Sequence, residues 1–422
     1  MLALTLALTL AAASLHHARP SWRVLTGFRD ARQSPDESCV GALDSLVRVL
    51  RRDYPGYRDQ VVGDKEDAFA ALIDSVRIVV ITPAADTSYE ICIPALQRVT
   101  RFFRDAHLML WQGPPPPVRS SDSGASAGAA ARPSAQPPVS RDDPERPMLR
   151  RFDARTLVLS LPNLDMRYKS AMDSLVASHR AELTAKPRLV IDLRGDGGGC
   201  TCTYEPLLPL IATGAVADGP LDVWASPANV AYFRELASDV HTPETLKAEL
   251  RRLLPRLEAA PNTFVAWNAD TTAAVYRPPA ILARPTNVAV LVDSICASSC
   301  ENFVMVARQS RKVTVFSATN TAGAGDYGNV RQVMLPGWRR LRVATSRASR
   351  LRTGAQSAID FVGLAPDVRL PRDSAAGDAA IVFAFHHLRP ADSSKRSVRP
   401  KSRPVGHAEP RSPFLGGRVL LR

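Results

Sequence analysis

Two short apolar runs constrain this chain most. "PRLVIDL" at residues 187–193 and "NVAVLV" at residues 287–292 are continuous, bounded by turn residues and too short for ordinary helices. Both read as buried strands. Around them, from residue 149 onward, strands and helices alternate. "RTLVLSLP" and "KVTVFSA" are further strands, and residues 170–183, "TYEPLLPLIAT" and residues 301–309 have helical spacing. Residues 234–257 read as a charged, largely helical insertion, and "RQVMLPGWRRLRVATSRA" as a hairpin. Alternating strands and helices predict an α/β core, here residues 149–390.

The first part of the chain has a different period. Val40, Leu43, Leu46, Val47 and Leu50 share one helical face, as do Phe69, Leu72, Ile73 and Val76. A third face carries Ile91, Leu96, Val99, Phe102 and Phe103. Helices are expected over residues 37–52, 65–80 and 88–106, forming a small helical N-terminal domain at residues 21–112. Cys39 and Cys92 lie on its first and third helices, where they can meet. Residues 113–148 lose all apolar period and become rich in Pro, Ser and Ala, as a linker does.

Both ends of the chain read as accessory segments. Residues 2–13 are apolar, end in small residues and are too short to span a bilayer. Residues 1–20 are therefore expected to be a signal peptide, although no basic residue precedes the apolar stretch. A start-codon artefact or a buried helix is the other reading. An exported protein, periplasmic or extracellular, with no stable membrane insertion after signal removal, is the consequence. Residues 391–422 form a basic tail with eight Lys/Arg against two Asp/Glu, read as disordered.

That tail accounts for nearly half of the net charge of +13. The remaining arginines are spread thinly, with few aromatics between them. A nucleic-acid interface needs a basic face or stripe, so this class is set aside. The six cysteines permit disulfides in an exported protein. Their C-x-C and C-x3-C spacings match no common zinc ribbon, so no metal is expected. No organic cofactor is expected either.

Three stretches carry chemistry. "VIDLRGDGGGC" ends a buried strand in a turn with four glycines in five positions, residues 195–199. It lacks the lysine of a phosphate-binding loop and the spacing of a dinucleotide fingerprint. A plain tight turn and an oxyanion-binding turn are both open readings. "DSICASSCENF" places two serines between two cysteines, just after the second buried strand. "RFFRDAHLMLW" puts His107 at the end of the third helix, where a capping role is the simpler explanation.

Taken in order, "LVIDLRGDGGG", "VAVLVDSICASSCENF", "TNTAGAG" and "DFVGLAPDVRL" resemble the C-terminal processing (tail-specific) serine peptidase family. Its marks are a D-L-R-x-N-x-G-G strand-turn, a T-A-S-x-x-E nucleophile turn, a T-x-G loop and a G-x-x-P-D close. The resemblance covers residues 150–370. It extends more loosely upstream through "RRDYPGY" and "RDAH", which is similar to the family's D-G-H. The implied fold is the ClpP/crotonase-like α/β spiral core, with no PDZ domain. The implied substrate is a peptide or protein, and the oligomeric state stays open.

The resemblance assigns roles. Ser298, with Glu301 three residues on, takes the place of the nucleophile. The Ser299 amide and that of Gly197 or Gly198 become the oxyanion donors. Many members use a lysine base in the T-x-G-K-G loop, but here Ala324 stands at that place. The chain is then similar to the family's lysine-less, tricorn-core-like branch. In that branch His107, through "RDAH", is the base, and Asp360, ahead of Gly363 and "PD", is the acid. Asp196 replaces the family's Asn and puts a carboxyl beside the oxyanion turn. Cys200 and Cys202 would lie beside Cys296 and Cys300, so at least one disulfide between the two turns is expected. Small buried thiols left reduced are the alternative. Two rival functions are a catalytically inactive binding protein on the same scaffold and an acyl-CoA enzyme of the crotonase type.

Overall fold

The computed structural model describes residues 37–113, 140, 142–269, 274–349, 351 and 358–388. The expected signal peptide, the tail and most of the linker lie outside the described residues.

The two apolar runs are the centre of a six-stranded sheet. Its order is Val368–Arg369, Val313–Ser317, Asn287–Leu291, Arg188–Asp192, Thr156–Ser160 and Met148–Asp153. All neighbours are parallel except the last pair. Parallel strands are covered on both faces, which is why these segments read as continuous apolar runs rather than alternating ones. One face packs Leu189, Ile191, Val288 and Val290 against Phe303, Val304, Met172 and Leu207 from the helices. The other packs Val190, Ala289, Leu291 and Phe316 against Ala380, Ile381 and Ala384 of the helix Gly377–His387.

Strand register then positions the site. Asp192 is opposite Leu291, so both central strands end at the same edge of the sheet. The glycine turn leaves the first strand and the serine turn leaves the second, side by side. Crevices for ligands form at the carboxyl ends of parallel strands for this reason.

Three N-terminal helices, Cys39–Asp53, Asp64–Val80 and Tyr89–Arg101, pack together and are joined by the Cys39–Cys92 disulfide. They do not close a core of their own. Leu335, Leu341, Val343 and Tyr327, from far along the chain, complete it. Strand Met109–Gln112 also pairs antiparallel with Arg339–Val343, so the hairpin sews this region to the C-terminal half.

The expected helix over residues 88–106 stops early, at Arg101. Arg104 adopts φ 46°, which an α-helix does not allow. His107 therefore lies in the connecting turn rather than on the helix. The segment 170–183 is likewise two helices, Lys169–Ser178 and Arg180–Ala185, divided at His179. The charged insertion is a helical pair, Pro227–Ser238 and Glu244–Ala259. Ser226 caps the first of these by accepting the Asn229 N–H, with Pro227 at its first position.

Candidate active site

Ser298 sits between the strand Asn287–Leu291 and the helix Ser299–Ala307, half-buried, with φ 55° and ψ −117°. A side chain in this conformation is strained by about 1–3 kcal/mol. Such strain persists only where the surroundings impose it, and sharp strand-to-helix turns use it to push a serine hydroxyl outward.

Two ties impose it here. The Cys296–Cys300 disulfide staples the turn, with Cα atoms 5.3 Å apart. Glu301 does the rest. Its carboxylate is fully buried and accepts N–H groups from Ser298 at 3.3 Å, Gly323 at 2.8 Å and Ala324 at 2.7 Å, together with the Thr321 hydroxyl. One side chain thus fastens the "TAGAG" loop to the serine turn. Ala324, where a lysine base would stand, contributes only its backbone N–H to this clamp.

The glycine turn lies against the same serine. A Cβ on Gly198 would stand 2.5 Å from the Ala297 carbonyl oxygen, 2.9 Å from Ser298 Cβ and 3.1 Å from the Ser299 nitrogen. Gly198 also has φ 95°, so only glycine fits this approach. The expected disulfide between the two turns is absent. Cys200 pairs with Cys202 and Cys296 with Cys300, each within its own turn. The short spacings bring each pair's Cα atoms to 5.1 and 5.3 Å, inside disulfide range without help from the neighbouring turn. A hydrogen bond links the turns instead, from the Ser299 hydroxyl to the Gly199 carbonyl at 2.8 Å.

Of the candidate oxyanion donors, Gly198 is committed elsewhere. Its N–H is donated to Asp196 Oδ1 at 2.8 Å. Asp196 also accepts the Leu164 N–H at 3.3 Å, while its Oδ2 is buried without a hydrogen-bond partner. The Gly197 and Ser299 amides remain unengaged among the described residues. Burial pushes the Asp196 carboxyl up to about 8, so at pH 7 it is chiefly neutral. The negative charge expected beside the oxyanion turn is therefore largely suppressed.

This has a thermodynamic sign. A carboxyl raised from its ordinary range to about 8 stabilises the fold below pH 4, and that contribution is lost as pH rises toward 8. Asp196→Asn keeps an oxygen for Gly198 and cannot ionise. Thermal melts at pH 5 and pH 9 should show the wild type losing stability, on the order of a few kcal/mol, while the variant loses less. A variant that is less stable by the same amount at both values would show that ionisation of Asp196 has no such role.

His107 and Asp360 occupy a second, acidic cluster. His107 is buried, and burial with the nearby Arg342 charge lowers it to about 3, against a hydrogen bond with the Tyr327 backbone. The ring is neutral at pH 7. Asp360 Oδ1 accepts the Asp326 N–H at 2.9 Å, and Asp326 in turn accepts the Asp360 N–H at 3.0 Å. Asp360 is pushed up to about 8 by burial and then by the Asp105 charge. The loop 321–325 runs between this cluster and Ser298. Gly323 accepts the Phe361 N–H at 2.9 Å, and a Cβ on Gly325 would stand 2.5 Å from Ile359 Cδ1 and 3.6 Å from Glu301 Oε2. Among the described residues no hydrogen bond or ion pair joins Ser298, His107 and Asp360 to one another.

Sequence reasoning passed over Asp105, Tyr54 and Asp326. Asp105 accepts the His107 N–H at 2.7 Å and the Tyr54 hydroxyl at 2.8 Å. "RRDYPGY" and "RDAH" were visible as motifs, but nothing in either shows that they meet.

No protein-family model matches the chain, and no curated protein matches it in sequence. Solved structures do. A candidate peptidase from Parabacteroides merdae ATCC 43184 is 15% identical, over 85% of this chain and 99% of that one, with a TM-score of 0.49. A lipoprotein from Streptococcus agalactiae is 14% identical over the same shares, with a TM-score of 0.44. The photosystem II D1 C-terminal processing protease is 14% identical, over 52% of this chain and 43% of its own, with a TM-score of 0.32. Peptidases are thus among the structural neighbours.

Proposed function

We propose that the chain is an exported serine-type peptidase of the tail-specific kind, built on a ClpP/crotonase-like core without a PDZ domain. The observation that carries this reading is the strained Ser298, set at a strand-to-helix turn with a glycine backbone against it and the Ser299 amide beside it.

In this reading Ser298 Oγ attacks the peptide carbonyl and gives its proton to His107. The tetrahedral oxyanion is held by the Ser299 and Gly197 amides, each donor contributing about 2.7–4 kcal/mol. His107 then protonates the leaving amine, and water releases the acyl group by the same route. Asp360, the third member of this arrangement, stabilises the imidazolium once it is ionised. His107 is neutral at pH 7, as a base must be. Its hydrogen bond to Ser298 forms only when substrate is seated, since catalytic contacts are often loose in the free enzyme. Among the described residues there is no free thiol and three disulfides, which suits an oxidising compartment outside the cytosol. No helix among the described residues is long and apolar enough to cross a membrane.

One set of observations favours a second reading, an inactive binding protein. The Gly198 amide is occupied by Asp196, and among the described residues the three proposed catalytic residues are not hydrogen-bonded to one another. A fluorophosphonate decides between the readings. An active enzyme is labelled on Ser298 and hydrolyses unfolded protein, and His107→Ala loses both by at least about 1,000-fold. An inactive scaffold shows neither.

A further inference from the structure

The proposed mechanism leaves two buried atoms of its own residues without partners, His107 Nδ1 and Asp360 Oδ2. His107 Nδ1 is out of contact with water and has no hydrogen-bond partner. A buried polar atom in that condition calls for an explanation, and a catalytic role is one of them. Asp360, the acid suggested by resemblance, makes no ion pair with the ring. The carboxylate beside Nδ1 is Asp105, whose Oδ1 is 3.9 Å away.

Asp105 is held firmly. Its side chain is fully buried. Oδ1 accepts the His107 backbone N–H at 2.7 Å, and Oδ2 accepts the Tyr54 hydroxyl at 2.8 Å. Tyr54 is itself fully buried and packed edge-on against Phe103, ring centroids 5.2 Å apart. Oδ1 keeps a second lone pair for the imidazole. A small turn of the ring converts the 3.9 Å approach into a hydrogen bond.

Resting on the Ser298–His107 reading, we infer that Asp105 is a positioning residue. It takes the Nδ1–H of His107, replacing the Tyr327 backbone as the ring's hydrogen-bond acceptor, and so leaves Nε2 with the lone pair that a base needs. The anchor of a catalytic imidazole is commonly a buried acid of this kind, and it fixes the tautomer. Charge agrees with the geometry. The groups packed around Asp105 are Tyr54, His107, Arg342, Asp326 and, more distantly, Asp360. Burial raises Asp105 to about 6, with Tyr54, the His107 backbone and Arg342 holding it down, whereas Asp360 is raised to about 8. At pH 7 Asp105 is the anion of the two.

A merely structural role is also available to Asp105, because its bond to the His107 N–H shapes the turn. Asp105→Asn separates the two roles. The asparagine oxygen still accepts that N–H, so the melting point should stay near the wild-type value. The negative charge is gone, so Ser298 labelling at pH 7 should fall about 100-fold or more. Its pH dependence should also lose the inflection near 6 that Asp105 gives the wild type. A variant labelled at the wild-type rate with the wild-type pH profile overturns the inference.

A second readout needs no activity and no variant. Long-range proton–nitrogen NMR of the intact wild-type chain reports the His107 tautomer. A proton on Nδ1 supports the inference, and a proton on Nε2 overturns it. Absence of a Ser298 adduct in wild type showing the Nδ1–H tautomer would sink the peptidase reading alone.

Discussion

Glycine in place of Ser298 should make the protein more stable by about 1 kcal/mol and abolish hydrolysis. The serine is held at φ 55°, ψ −117°, where any Cβ is strained. Removing the Cβ releases about 1–3 kcal/mol, and the added freedom of glycine in the unfolded chain takes back about 0.5–1. A stability gain on removing a residue is unusual, since most substitutions destabilise. It is expected where strain serves function. Equilibrium denaturation of Ser298→Gly beside the wild type measures it. A clear loss of stability in the variant would mean that the turn is relaxed and that its geometry carries no functional signal.

Loss of the Glu301 carboxylate should have the largest effect on folding. Three backbone N–H groups and a hydroxyl converge on this one fully buried side chain. Glu301→Ala strands all four donors in the interior and should cost about 3–5 kcal/mol. Glu301→Gln is the sharper probe. It keeps the shape but turns an amide NH2 toward donors, so about 1–3 kcal/mol should still be lost. Labelling of Ser298 should fall in the glutamine variant, because the 321–324 loop and the nucleophile turn lose their common anchor. Chemical denaturation of both variants checks this. Wild-type stability in Glu301→Gln would show that the clamp contributes nothing.

The sheet was legible because its strands are short and buried on both faces, which leaves continuous apolar runs such as "NVAVLV". The three N-terminal helices were legible from their apolar faces. What covers those faces was not, because Leu341 and Val343 arrive from more than 200 residues away, and period carries no information about distant partners. The end of the third helix at Arg101 was not legible, nor was the positive φ of Arg104 in the turn that follows, which no propensity announces. The cysteine pairing was not legible from the proximity of the two turns, because the short loop within each turn already brings its own pair into disulfide range.

The site divides in the same way. Ser298, Ser299 and the glycine turn could be named from motifs, since the chemistry there is local. Their mutual contact followed from strand register, which puts Asp192 opposite Leu291. The four-donor environment of Glu301 and the Tyr54–Asp105–His107 contact join segments from separate parts of the chain. Only the folded arrangement reveals them. The commitment of the Gly198 amide to Asp196 is a matter of one side-chain rotamer, which sequence does not specify.

The position of the covalent fluorophosphonate adduct tests the central claim most directly. Treated protein is digested, and the peptide bearing the adduct is sequenced by mass spectrometry. The account predicts a single adduct on Ser298, absent from Ser298→Ala and strongly reduced in His107→Ala. No adduct on folded protein between pH 7 and pH 9, or an adduct on another serine with Ser298 untouched, would contradict it.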